Sequence, residues 1–373
     1  MLRRVGETID PKGAVVKIKD ASFPAPFASE LEYNSPVHGS WNIVHTGMQV
    51  PESIQIYVCA DNCMRGVVLT AAEMNAADRF SFVILEEQDL LNSNLEDITI
   101  EGVTDVLNKR GDHPKAVLLF TVCLHHFVGS NLDYIYSELG HRFPDICFIR
   151  CYMDPIMQKH GLTPDQKLRK AMYDPLPACE PDRKTVSIFG SDFALDESSD
   201  IRRLLKRYEY TVKELPACKT WQDLLDMSKG SLFIDCYPAG KYGMEAQAER
   251  LGRKHLYLPG SFDYDEIEKQ LKQLTDILGL PELTGEELAR ERESCEEALA
   301  KAKTLIKDMP ITLDYLYHPR PLGLAKLLLT HGFCVKAVYL DGISPEEKEE
   351  FLWLQKHAPE LELIATIQVK MRV

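Results

Sequence analysis

Several signatures of common chemistry are missing from this chain. No GxxxxGK[ST] run and no GxGxxG follows any of its apolar strand candidates, which excludes the usual cradles for ATP phosphates and dinucleotides. No G-x-S-x-G elbow is present, so a Ser–His–Asp hydrolase has no starting point. The 11 histidines include no HExxH, which removes the zinc-protease reading. Long apolar runs are absent too: nothing approaches the ~20 residues of a membrane span. Met1-Leu2-Arg3-Arg4-Val5-Gly6-Glu7 lacks the apolar centre of a signal peptide, and the expected location is cytoplasmic. Positive charge is in deficit, with 43 Lys and Arg against 57 Asp and Glu. A formal charge of −14 argues against coating nucleic acid or an anionic membrane, so neither is expected as a partner.

What the chain does have is enough apolar content, 45% of 373 residues, for two or three separately cored domains. From Ser53 onward, apolar strand patterns alternate with helical ones. Ser53–Cys59, Phe80–Leu85, Ala116–Val122 and Asp145–Arg150 read as strands, separated by helices near 64–75, 97–109 and 132–143. Gly102 counts against the second of those helices. A second series starts at Lys184–Gly190 and continues through strands 210–215, 231–236 and 254–258 into long helices over 265–278 and 284–307. Thr284 and Glu287 form a capping box for the last of these. A third series runs from Ile311–Tyr317 through Cys334–Leu340 to Leu361–Val369. The alternation predicts an α/β fold of two to three Rossmann-like domains with mainly parallel sheets. Expected boundaries are an N-terminal arm over 1–50, α/β domains over 51–180 and 181–308, and a third, short and apparently truncated one over 309–373.

Ten cysteines are many for a chain expected in a reducing compartment, where structural disulfides are disfavoured. Cys147, Cys218, Cys295 and Cys334 have apolar or helical neighbours and read as packed thiols. Cys63 and Cys123 differ, because each follows an apolar strand and precedes a helix. Carboxyl ends of parallel strands face one crevice, so the two thiols can converge. They are either buried thiols, which is ordinary for cysteine, or soft ligands on fixed strand ends suited to an iron–sulfur cluster. Cys59 and Cys151 stand in the same region and carry the same two readings, with plain packing favoured. His125 and His126 follow Cys123 and serve either as donors to a cluster or as capping and surface residues.

Asn62-Cys63-Met64-Arg65-Gly66 followed by Asp78–Leu90, and Thr121-Val122-Cys123 followed by Gly129–Asp133, resemble the cluster-binding half of the nitrogenase component 1 family. Phe233–Tyr237, Tyr242, Glu249–Gly252 and Leu258-Pro259 are similar to its second-domain strand–helix–strand, where the cofactor or substrate cavity lies. The likeness spans most of 35–373. It implies a nitrogenase-like oxidoreductase subunit that binds an iron–sulfur cluster, 4Fe-4S in type, at Cys63 and Cys123. It also implies a homo- or heterodimer with a like subunit, and an ATP-hydrolysing iron protein as electron donor to an unidentified substrate. Two departures stand out. His38-Gly39-Ser40-Trp41 occupies the place of an early cysteine ligand, leaving Cys59 or Cys151 to replace it. Met244 falls near the cysteine that holds the nitrogenase active-site cofactor, so no molybdenum-type cofactor is expected. The alternative reading is a non-catalytic scaffold or binding module for a metallocofactor or tetrapyrrole.

Overall fold

The computed structural model describes residues 13–28, 42–92, 94–154 and 162–368. In chain order, β1 (Val15–Lys17) and α1 (Ile43–Met48) precede the first alternation. That alternation comprises β2 (Ser53–Cys59), α2 (Asp61–Glu73), β3 (Phe80–Ile84), α3 (Glu87–Leu91), α4 (Leu95–Lys109), β4 (Ala116–Val122), α5 (Cys123–Phe127), α6 (Leu132–Arg142) and β5 (Cys147–Met153). After α7 (Pro164–Tyr173) come β6 (Asp182–Phe189), α8 (Asp200–Arg207), β7 (Thr211–Glu214), α9 (Trp221–Leu225), β8 (Gly230–Asp235), α10 (Lys241–Leu251) and β9 (Lys254–Tyr257). The remainder is α11 (Tyr264–Leu278), α12 (Gly285–Ile306), β10 (Pro310–Asp314), α13 (Pro321–Thr330), β11 (Cys334–Tyr339), α14 (Lys348–His357) and β12 (Glu362–Ile364).

Residues divide into two compact units, 34–258 and a second formed by 1–33 with 259–373. The larger unit holds two all-parallel sheets, ordered β3-β2-β4-β5 and β7-β6-β8-β9. Every residue of β2 and β4 is buried, the signature of central parallel strands covered on both faces. One apolar core runs through both sheets, and α7 packs against β5, α1 and α10. The expected boundary near 180 therefore falls inside this unit.

The smaller unit has one sheet, β1-β12-β11-β10, parallel except for β1. Within the stretch expected as an arm, Val15–Lys17 pairs antiparallel with β12 and covers that edge. A three-residue strand carries no alternation to read. Helices α11 and α12 belong to this unit rather than with β6–β9. Cys295 is exposed, not packed, because it lies on α12, which has no fully buried residue. Of the described residues, no helix is long and apolar enough to cross a membrane.

Gly102 sits inside α4 without breaking it. A Cβ there would lie 2.4 Å from Val83 Cγ1 of β3, so the glycine is the price of close helix–sheet approach. Gly102→Ala gains helix propensity yet overpacks this contact, and a net loss of about 1–3 kcal/mol is expected from urea unfolding. An unchanged or higher midpoint would refute the tight contact.

Candidate functional site

In the first sheet the chain goes from β2 outward to β3, then returns across β2 to β4. The carboxyl ends of β2 and β4 therefore flank the switch point where open α/β sheets leave a crevice. Both cysteines of interest stand there. Cys63 is the third residue of α2 and is exposed; Cys123 opens α5 and is half-buried. Burial first, then Cys63 and Asp154, push the Cys123 thiol up. Backbone N–H groups of Cys123 and Leu124 oppose that shift. Burial, then Asp61, raises Cys63. Asp61 and Asp154 were not singled out from sequence, since neither forms a recognisable motif with a cysteine. Asp61 thus acts on Cys63, and Asp154 and Cys63 act on Cys123, and a bound cation would reverse these upward thiol shifts.

Cys59 and Cys151 are fully buried instead. Cys59 ends β2, and burial, with Cys63 and Asp61 adding to it, pushes it to about 12. Cys151 pairs in register with Phe120, is raised by burial, and its Sγ donates to the Ile149 carbonyl at 3.4 Å. Phe120 stacks on Tyr57 at 4.3 Å in the same core. The positions of His38–Trp41 lie outside the described residues. Among the described residues, no group of three or more His, Cys, Asp or Glu is arranged to hold a metal ion. Among the described residues, Cys63 and Cys123 flank the switch point of the first sheet without a full ligand set.

His125 is buried and structural. Val122 N–H donates to its Nδ1 at 3.3 Å, which leaves Nε2–H to donate to Thr99 Oγ1 at 3.1 Å. Burial lowers it to about 4, so it is neutral and caps the start of α5. His126 is more exposed and lies 3.6 Å from the Asp154 carboxylate. A cavity of about 210 Å³ opens beside them, lined by Thr121, His125, His126, Ser130, Tyr152 and Asp154. Met244 has no exposed surface and packs in the core of α10.

The second sheet repeats the topology, with a switch point between β6 and β8. Its surroundings are charged and mostly buried. Arg169 of α7, 1% exposed, donates to Asp165 at 3.1 Å, Asp192 at 2.8 Å and the Gly190 carbonyl at 2.6 Å. Thr46 of α1 donates to Asp165 at 2.9 Å, and Gln49 donates to Asp192 at 2.6 Å. The Tyr237 ring lies 4.8 Å from the guanidinium. This network ties α1 and α7 to the second sheet. Its only local sequence signal was the i,i+4 pair Asp165–Arg169 behind a capping box at Thr163 and Gln166.

Residues 100–370 match the family model described as nitrogenase component 1 type oxidoreductase. Cys123 lies within the match and Cys63 before it. No curated protein matches the sequence. Among solved structures, the chain is similar to nitrogenase Cp1 at pH 5, with 12% identity, a TM-score of 0.61, and 96% of this chain and 82% of that one covered. It is also similar to nitrogenase Cp1 at pH 6.5, with 11% identity, a TM-score of 0.65, and coverage of 92% and 79%. At such identities the likeness is one of fold.

Proposed function

The chain belongs to the nitrogenase component 1 type oxidoreductase family, and on that premise we propose that it is a nitrogenase-like reductase subunit whose Cys63 and Cys123 hold one side of an iron–sulfur cluster. The observation that supports this is that each thiol follows a strand flanking the switch point of one parallel sheet, with Cys63 among the groups that raise the Cys123 thiol. The donor set fits such a group in part: two soft sulfurs with backbone amides beside Cys123, and no third ligand among the described residues. A second like subunit completes the set. The helices that carry the cysteines support this, since they also expose Val68 and Leu69 on α2 and Phe127 with its neighbour Val128 at the end of α5.

In this reading Cys63 and Cys123 bind as thiolates, and the Cys123 and Leu124 amides stabilise the negative charge of the latter. His125 stays neutral and fixes the α5 start; the apolar interface excludes water. When bound, the cluster supplies one-electron storage between an ATP-hydrolysing iron protein and the substrate. The substrate is not a nitrogenase-type one in this proposal, because the cofactor-ligand position is taken by Met244, a neutral thioether.

The functional test is electron delivery. Anaerobically reconstituted protein mixed with a nitrogenase-type iron protein and reductant should lose visible cluster absorption only when ATP is added. A cluster that stays oxidised under those conditions would overturn the reductase reading and leave the scaffold alternative.

A further inference from the structure

A second feature of the larger unit does not depend on the cluster. Asp235 ends β8 and is 0% exposed. Its Oδ1 accepts the Tyr237 N–H at 2.9 Å, but its Oδ2 has no hydrogen-bond partner among the described residues. Glycines wall it in. A Cβ on Gly190, which follows β6 at φ +87°, would lie 2.1 Å from Oδ1. A Cβ on Gly240 would lie 2.9 Å from both Oδ2 and the Gly190 Cα. The turn Cys236–Gly240 is thereby seated on the end of β6, directly over the carboxyl group.

The charged neighbours do not neutralise it. Arg169 exerts an attraction, yet its donors go to Asp165, Asp192, Thr46 and the Gly190 carbonyl. Lys241 at the start of α10 also attracts, but its ammonium lies over the Tyr257 ring at 4.8 Å. From α7, the buried Tyr173 hydroxyl also has no hydrogen-bond partner among the described residues and is pushed up by burial first and then by Asp235. Tyr237 stacks under Arg169; Cys236 feels Asp235 and, from β7, Glu214. An ionised carboxylate with one oxygen facing glycine carbons is costly, whereas a neutral acid is tolerable.

The geometry points to a proton-operated latch: protonated Asp235 keeps the Cys236–Gly240 turn closed on β6, and its ionisation releases that turn. Burial raises this carboxyl to about 7. Open, the group ionises near its ordinary value of 3.8; closed, it keeps its proton until about 7. Closure is therefore favoured at low pH, weakens as pH rises between those values, and is constant above them.

Hydrogen exchange of the peptide over residues 236–244, corrected for intrinsic rates, tests this in the full chain. Wild-type protection should fall by up to roughly tenfold per pH unit between about 4.5 and 7 and then level. Asp235→Asn and Asp235→Ser should show flat profiles. Flat wild-type protection would overturn the latch, and so would neutral variants that keep the wild-type slope. Should neither variant fold, the wild type still decides. A slope confined to this peptide supports the latch, and an equal slope in the β11 peptide of the smaller unit refutes it.

Discussion

Cys63→Ser and Cys123→Ser are each expected to strip the reconstituted protein of nearly all its iron and visible absorption. Serine offers a hard, weakly acidic oxygen where iron and sulfide favour a soft thiolate. Losing even an outer-shell partner costs metal sites on the order of 10–100-fold in affinity, and losing a direct ligand should cost more. Folding should be little affected, because Cys63 is exposed and Cys123 half-buried. Cys295→Ser, on the exposed α12, is the control that retains full iron. Cys59→Ala and Cys151→Ala are expected to behave oppositely: iron per folded chain is kept, while the unfolding midpoint drops because both thiols are fully buried. Wild-type iron in both Cys63→Ser and Cys123→Ser would return those cysteines to ordinary surface thiols.

Arg169→Met should be among the most destabilising single changes in the larger unit. It removes the cation between Asp165 and Asp192 and strands the Gly190 carbonyl. Removing one partner from a buried ion pair costs about 3–5 kcal/mol, because the remaining charge is left without compensation. At about 2–4 °C per kcal/mol for a unit of this size, the apparent Tm should fall by roughly 10 °C. Arg169→Lys should not rescue it, since one ammonium cannot reproduce the fork that reaches four acceptors. A lysine variant with wild-type Tm would show that charge alone, not geometry, is what matters there.

The strands that were easiest to read are those buried on both faces. Ala116–Val122 and Ser53–Cys59 have the observed ends because an unbroken apolar run stops where the chain leaves the sheet. Gly102 misled in the other direction: its cost to the helix is visible in sequence, while Val83 approaching from a distant strand is not. β1 was illegible because three residues gain their structure from β12, more than three hundred positions away. At the site, the position of Cys63 and Cys123 at strand ends was local information, and so it was legible. The burial of Cys59 and Cys151 depends on register and on which face each side chain takes, as with Cys151 beside Phe120. The Arg169 network escaped notice for the same reason: Thr46 and Asp165 meet across more than a hundred residues.

In the proposed assembly two chains share one cluster through Cys63 and Cys123 of each. Native mass spectrometry of the anaerobically reconstituted protein tests it most directly. A dimer carrying about four irons and four sulfides is expected, with Cys63→Ser giving a species without them. A cluster of that size bound to the monomer, or a dimer that takes up no iron and sulfide, would contradict it.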